Sequence, residues 1–224
     1  MGPTAAHPHD HEHGRPGPGG HPPQPDVEDS PLGYYQALET ALRELLTEKG
    51  LVTAEEVRRQ IELIDSRSPS LGARVVAGAW VDPAYKRRLL EDGSAAVGEL
   101  GISLYDNTRL LLMENTPHVH NLVVCTLCSC YPRAVLGLPP DWYKSRTYRA
   151  RAVRDPRSLL AEFGTVIPGD VAIRVHDSTA ALRYLILPLR PAGTEGLGED
   201  ELARLVTRDS MIGVTLVKPP TADG

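Results

Sequence analysis

Apolar positions recur at helical spacing in the first third of the chain and at strand spacing further on. Leu38, Leu42, Leu45 and Leu46 form one stripe over Tyr34 to Lys49, which predicts a helix stopped by Gly50. Thr53-Ala54-Glu55-Glu56 reads as a capping box, and the helix it opens carries Val57, Ile61 and Ile64 on one face until Pro69. Leu71 to Trp80 predicts another helix. Asp82-Pro83 restarts one, with Asp82 as N-cap and the proline at the first helical position. Gly93 reads as its C-terminal stop, and Ser94 as the cap of a short helix ending near Gly101. Arg109 to Glu114 and Asn121 to Cys125 are apolar runs of strand length. Pro139-Pro140 forces an extended turn, and Asp155-Pro156 opens a helix closed by Gly164. Val171, Ile173 and Val175 alternate with Ala172, Arg174 and His176, a half-buried strand whose expected partner is Leu182 to Leu187. Glu199 to Arg208 predicts a last helix and Met211 to Val217 a last strand. The pattern has no internal repeat and predicts an α/β chain with a mixed sheet.

The two N-terminal stripes are too narrow to make a core. Residues 32–70 are therefore expected to form a helical arm that clasps a partner subunit, the alternative being an arm folded back on its own domain. Residues 1–31 are rich in Pro, Gly and His and nearly lack large apolar residues, so they are expected to be a disordered tail. Its His7, His9, His11, His13 and His21 read either as a loose arm that gathers metal or as a solvated tail. Residues 71–218 remain for the main domain, and 219–224 for a short tail.

At 224 residues the chain can hold one domain plus extensions. A formal charge of −5 points away from nucleic acid. No apolar run approaches the length needed to span a membrane, and no apolar signal core opens the chain. Three cysteines packed into one motif argue against a secreted disulfide framework, so the expected location is the cytoplasm.

Those cysteines lie in Val124-Cys125-Thr126-Leu127-Cys128-Ser129-Cys130-Tyr131-Pro132. Three thiolates in a C-x-x-C-x-C spacing can close on one metal ion. Cys128 and Cys130 stand too close for a relaxed disulfide, but the amide nitrogens of Ser129 and Cys130 lie between their sulfurs. Once deprotonated, those nitrogens would form five- and six-membered chelate rings, giving three sulfurs and two nitrogens with a sixth position open. Thiolates select soft or borderline metals, and ionising backbone amides demands a strongly polarising one, so trivalent cobalt or iron suits better than zinc. An open position on such an ion is where a substrate is activated. Three other readings stay open. They are a structural zinc site completed by His118 or His120, a redox C-x-x-C pair, and buried inert cysteines.

Cys-Thr-Leu-Cys-Ser-Cys resembles the metal claw of the nitrile hydratase alpha-subunit family. The resemblance runs from Leu71 to Val217. It includes Glu114-Asn115-Thr116-Pro117, the stretch Leu136 to Lys144, Tyr148-Arg149-Ala150-Arg151, the stretch Arg190 to Gly196, and the stretch Val206 to Val214. It implies a layered α-β-β-α domain and a ligand set of Cys125, Cys128, Ser129 and Cys130. Cys128 would be oxidised to sulfinate and Cys130 to sulfenate, with the sulfenate oxygen acting as nucleophile or base. Thr126 matches the cobalt-type motif, so one non-corrin cobalt(III) per subunit is implied rather than iron. The implied reaction is hydration of a nitrile to an amide, with a beta-type subunit, as one chain or two, for partner. Asp177 and Arg183 match charged family positions near the subunit contact, though charges at strand ends are usually solvated. Arg146, Arg149, Arg151, Arg154 and Arg157 read either as counter-charges to an anionic claw or as a solvated basic face.

The chain departs from the family pattern twice. Arg133-Ala134 stands where most members have Trp-Pro, and Ser103-Leu104-Tyr105-Asp106-Asn107 lies where a Gln-Gly-Glu stretch is usual. An arginine at that place is a feature of the thiocyanate hydrolase and nucleoside-nitrile branches. Arg133 is therefore the candidate substrate-binding residue. The substrate it suggests is a large polar nitrile, the alternative is thiocyanate, and the remote alternative is a non-enzymatic zinc-binding module.

Overall fold

The structure, a computed structural model, describes residues 33–104, 108–128 and 130–220. The histidine-rich tail, Tyr105-Asp106-Asn107 and the expected ligand Ser129 lie outside the described residues. The chain divides into two compact units, Met1–Ala54 and Glu55–Gly224.

The first unit contributes α1 (Tyr34–Glu48). Its first turn is held by Gln36, whose Oε1 accepts from the Gly33 N–H at 2.9 Å, and Glu39 pairs with Arg43 one turn on. None of its residues is buried, and Tyr34, Tyr35, Leu38, Leu42 and Leu45 are exposed.

The second unit opens with α2 (Ala54–Asp65), which also buries none of its residues. The core begins at α3 (Pro69–Val81), whose small residues Gly72, Ala73, Ala77, Gly78 and Ala79 are buried. In α4 (Pro83–Glu91) the Asp82 carboxylate accepts from the Ala84 N–H at 2.8 Å, as its sequence predicts. Gly93 is not the stop of that helix. It is the first residue of α5 (Gly93–Glu99), capped by Asp92, and a Cβ there would stand 2.6 Å from the Leu110 carbonyl oxygen. Ser94 is not the cap either; its Oγ accepts from the Leu110 N–H at 2.8 Å and ties α5 to the first strand.

Four strands form two parallel ladders among the described residues: β1 (Arg109–Glu114) with β4 (Leu182–Leu187), and β2 (Val119–Val124) with β3 (Ala172–Asp177). Leu182 to Leu187 is thus not the partner of Ile173 to His176. After Asp177 the chain leaves one ladder for the other, with the Ser178 N–H bonded to Val124 O and the Arg109 N–H bonded to Ala181 O. Parallel strands need long crossovers and are covered on both faces, which alternation along one segment does not reveal. Between β2 and β3 lie α6 (Arg133–Leu136), α7 (Asp141–Lys144), α8 (Arg146–Arg154) and α9 (Pro156–Glu162). Helices α4 and α5 pack on β1, α8 on β2 and α9 on β3, while β2 meets β4 between them. The layers therefore run helix, sheet, sheet, helix, the α/β architecture that the resemblance implies.

The last expected strand is absent. Helix α10 (Glu199–Leu205) ends early, and Met211 and Ile212 belong to α11 (Arg208–Ile212). Thr207 and Ser210 cap α11 reciprocally, each side chain accepting from the other's N–H at 3.1 Å. Gly213 ends it at φ +91°, a conformation that favours glycine. An apolar run across a helix end reads as a strand when only periodicity is counted.

Gly213 also touches the second ladder: a Cβ there would lie 2.1 Å from the Asn121 carbonyl oxygen. Both the backbone conformation and the contact forbid a side chain. Gly213→Ala is expected to destabilise the fold by roughly 2–4 kcal/mol, measured as a shifted denaturant midpoint.

Candidate metal centre

Strand β2 is buried from His120 to Val124, and the chain leaves it directly into the cysteine loop. Cys125 is fully buried, Cys130 half-buried and Cys128 exposed, and none is in a disulfide. The three Sγ atoms lie within 4.8 Å of one another. Cys125 Sγ stands 3.4 Å from Cys128 Sγ, and Cys128 Sγ stands 3.2 Å from Cys130 Sγ. Metal–sulfur bonds of about 2.3 Å place two sulfurs about 3.3 Å apart at a right angle and about 3.8 Å apart at the tetrahedral angle. Both spacings fit right-angle donors, so the cysteines suit an octahedral or square ion better than tetrahedral zinc.

The histidines offered as a fourth zinc ligand are not in the cluster, which among the described residues holds the three cysteines alone. His120 is engaged elsewhere. Its Nε2 donates to Gly213 O at 2.7 Å and its Nδ1 faces the Asn115 amide, while burial pushes its pKa down.

Four contacts from outside the loop hold it. The Asp177 carboxylate accepts from the Thr126 N–H at 2.9 Å and from the Thr126 hydroxyl. On the other side of that residue, Arg149 Nη1 donates to Thr126 O at 3.3 Å. The Tyr143 hydroxyl donates to Cys130 O at 2.8 Å, and Arg183 Nε to Tyr131 O at 3.2 Å. Beneath lies a cluster of aromatic side chains. Tyr131 meets Tyr143 edge-on at 5.0 Å, and Trp142 meets Tyr148 and Phe163 at 4.9 Å each. The Tyr148 hydroxyl reaches Val123 O at 2.6 Å, so the same platform holds the strand and the loop that follows it. Asp177 and Arg183, read from sequence as strand-end charges, are thus supports of the loop. Tyr143 and Tyr148 carried no sequence signal for that role, because hydrogen bonds to a backbone carbonyl leave no periodic trace.

Burial first, then the neighbouring Cys128, pushes the Cys130 thiol up to about 12, with Arg183 pulling the other way. A thiol that resists ionisation becomes a ligand when a cation displaces its proton. A cavity of about 480 Å³ opens over Cys128 and Cys130 and is walled by Arg133, Arg183, Leu104 and Ile64. Arg133 lines the same cavity as Cys128 and Cys130.

Asp177→Ala would remove both bonds that Asp177 makes to Thr126. It is expected to leave the circular dichroism of the fold unchanged and to lower metal affinity about 10–100-fold, measured by competition with a chelator.

A profile described as Nitrile hydratase, alpha chain, matches residues 33–215. The chain is 52% identical over 182 residues to the low-molecular-weight cobalt-containing nitrile hydratase subunit alpha of Rhodococcus rhodochrous, covering 81% of this chain and 88% of that subunit. It is 45% identical over 208 residues to the thiocyanate hydrolase subunit gamma of Thiobacillus thioparus, covering 88% of this chain and 85% of that subunit. Among solved structures, recombinant thiocyanate hydrolase comprising partially modified cobalt centres aligns with a TM-score of 0.80 at 44% identity, over 84% of this chain and 92% of that one. With the layered fold and the three-cysteine loop, these likenesses show that the chain belongs to the nitrile hydratase alpha-chain family.

Proposed function

We propose that this chain is the metal-bearing subunit of a nitrile hydratase that converts a nitrile to its amide at a non-corrin cobalt(III) centre in the domain of residues 71–218. The observation that carries the reading is the right-angle spacing of Cys128 Sγ to both other sulfurs, at 3.4 and 3.2 Å, on a loop held from both sides. The cobalt-containing relatives support the choice of metal. The sulfurs of Cys125, Cys128 and Cys130 would hold the ion, with the amide nitrogens of Ser129 and Cys130 completing the ligand set.

Bound there, the ion would supply Lewis acidity. The chain's own residues do the rest. Cys130, once oxidised by dioxygen to sulfenate, would present the oxygen that attacks the nitrile carbon or takes a proton from the attacking water. Tyr143 keeps that residue in place through its carbonyl, and Arg183 offsets the negative charge beside it. Arg133 orients the polar part of the substrate in the cavity. The relatives are named as subunits, and the exposed stripe of α1 supports a beta-type partner, as one chain or two. No helix among the described residues is long and apolar enough to cross a membrane.

The cavity of about 480 Å³, with two guanidiniums on its wall, favours a large polar nitrile such as a nucleoside nitrile over a small aliphatic one. The same guanidiniums, and the likeness to the thiocyanate hydrolase gamma subunit, support thiocyanate as the second reading. A zinc-binding module is disfavoured by the sulfur spacing.

Gentle mass spectrometry of the active, cobalt-loaded complex is expected to find two added oxygens on Cys128, one on Cys130 and none on Cys125. Full nitrile hydration with all three thiols unmodified would refute the oxidised-claw chemistry. Arg133→Trp in the assembled enzyme is expected to shift the rate ratio between polar or anionic substrates and simple nitriles about tenfold, or about 1.4 kcal/mol. An unchanged ratio with impaired assembly would instead put Arg133 in the subunit interface.

A further inference from the structure

The five arginines that follow the cysteine loop do not share one role. Arg151 pairs with Glu162, and Arg157 is spent on the carbonyls of Ile167, Pro168 and Val171. Arg146, Arg149 and Arg154 instead line one cleft of about 360 Å³ together with Thr126 and Val153. Their spacing puts them on a single face of α8. No carboxylate among the described residues pairs with any of the three. Arg149 adds a second sign, for its Nε is buried with no partner while its Nη1 holds Thr126 O.

Three guanidiniums in one cleft repel one another, and no ion pair with a carboxylate of the described residues offsets them. The surroundings say what kind of anion. Leu127, next to the cleft's Thr126, is 88% exposed at the tip of the loop, and Val153 within the cleft is 49% exposed. Arginines interleaved with uncovered apolar side chains make a protein-binding surface rather than a pocket for a free ion, because arginine carries much of the energy at such interfaces. Covering Leu127 would extend the same contact to the rim of the metal centre.

We propose that the cleft of Arg146, Arg149 and Arg154 receives a carboxylate-bearing segment of the partner subunit, docked against the outer side of the cysteine loop. This rests on the subunit reading above and adds to it a named surface and the chemistry of what fills it. Each guanidinium offers a planar fork that a carboxylate matches with two hydrogen bonds. Because Arg149 also holds the Thr126 carbonyl, the docked carboxylate bears on the loop that carries the sulfurs.

The test uses the full chain, tagged and isolated with its natural partner. Arg146→Lys and Arg154→Lys keep the charge and supply an amine that a carbodiimide couples to a carboxylate in contact with it. The expected result is a cross-link from position 146 or 154 to an acidic residue of the co-purifying chain. The double variant Arg146→Glu with Arg154→Glu should weaken assembly about tenfold or more and flatten its dependence on salt, with the thermal unfolding of the isolated chain unchanged. Absence of cross-links in an assembled complex, with the Glu variant assembling as the native chain does, would overturn the proposal. So would normal assembly with loss only of inorganic sulfate binding, which would assign the cleft to a free anion. If the native chain co-purifies with no second subunit, the subunit reading itself fails and this proposal with it.

Discussion

The register between β2 and β3 is the constraint on which the site depends. It sets Asp177 opposite Val124, the last residue of β2. From there the carboxylate reaches two residues further, to the N–H and the hydroxyl of Thr126. A slip of one residue would turn that side chain to the opposite face and leave the loop's first turn unheld. The distance between the ladder and the sulfurs is short, so any error in strand pairing becomes an error in ligand position.

The start of β2 is held as firmly as its end. Asn115 Oδ1 accepts from both the backbone and the side-chain N–H of Asn121, and His176 donates to Asn121 Oδ1 at 2.8 Å. His120 spans the gap to Gly213, which has no side chain to obstruct it. Buried polar groups are costly when left without partners, so a network of this kind specifies one register and penalises neighbouring ones. Stability and site geometry thus draw on the same residues.

A metal loop must be rigid toward its ion and accessible toward its substrate. The aromatic platform of Tyr131, Trp142, Tyr143 and Tyr148 supplies the rigid side. Exposure rises along the loop from Cys125 to Leu127 and Cys128, on the side that the cavity and the arginine cleft flank. The surface of this chain is unfinished there in a chemical sense, with guanidiniums and an apolar tip facing outward, and a subunit of a larger enzyme has that character.

The sequence alone determined which thiols gather. C-x-x-C-x-C within six residues brings three cysteines to one loop, and that closeness is local, so it is written in adjacent letters. Helix starts at Asp82 and Asp155 were equally legible, because a cap bonds an N–H two or three residues away. Pairing was not. The partner of β4 lies some seventy residues back in β1, and nothing in the alternation of Leu182 to Leu187 distinguishes that strand from its neighbour β3. Met211 and Ile212 looked like strand until Thr207, Ser210 and Gly213 were seen to cap and end a helix. The roles of Asp177, Tyr143 and Arg149 were decided only in three dimensions, where residues remote in the chain converge on the carbonyls and amides of one loop.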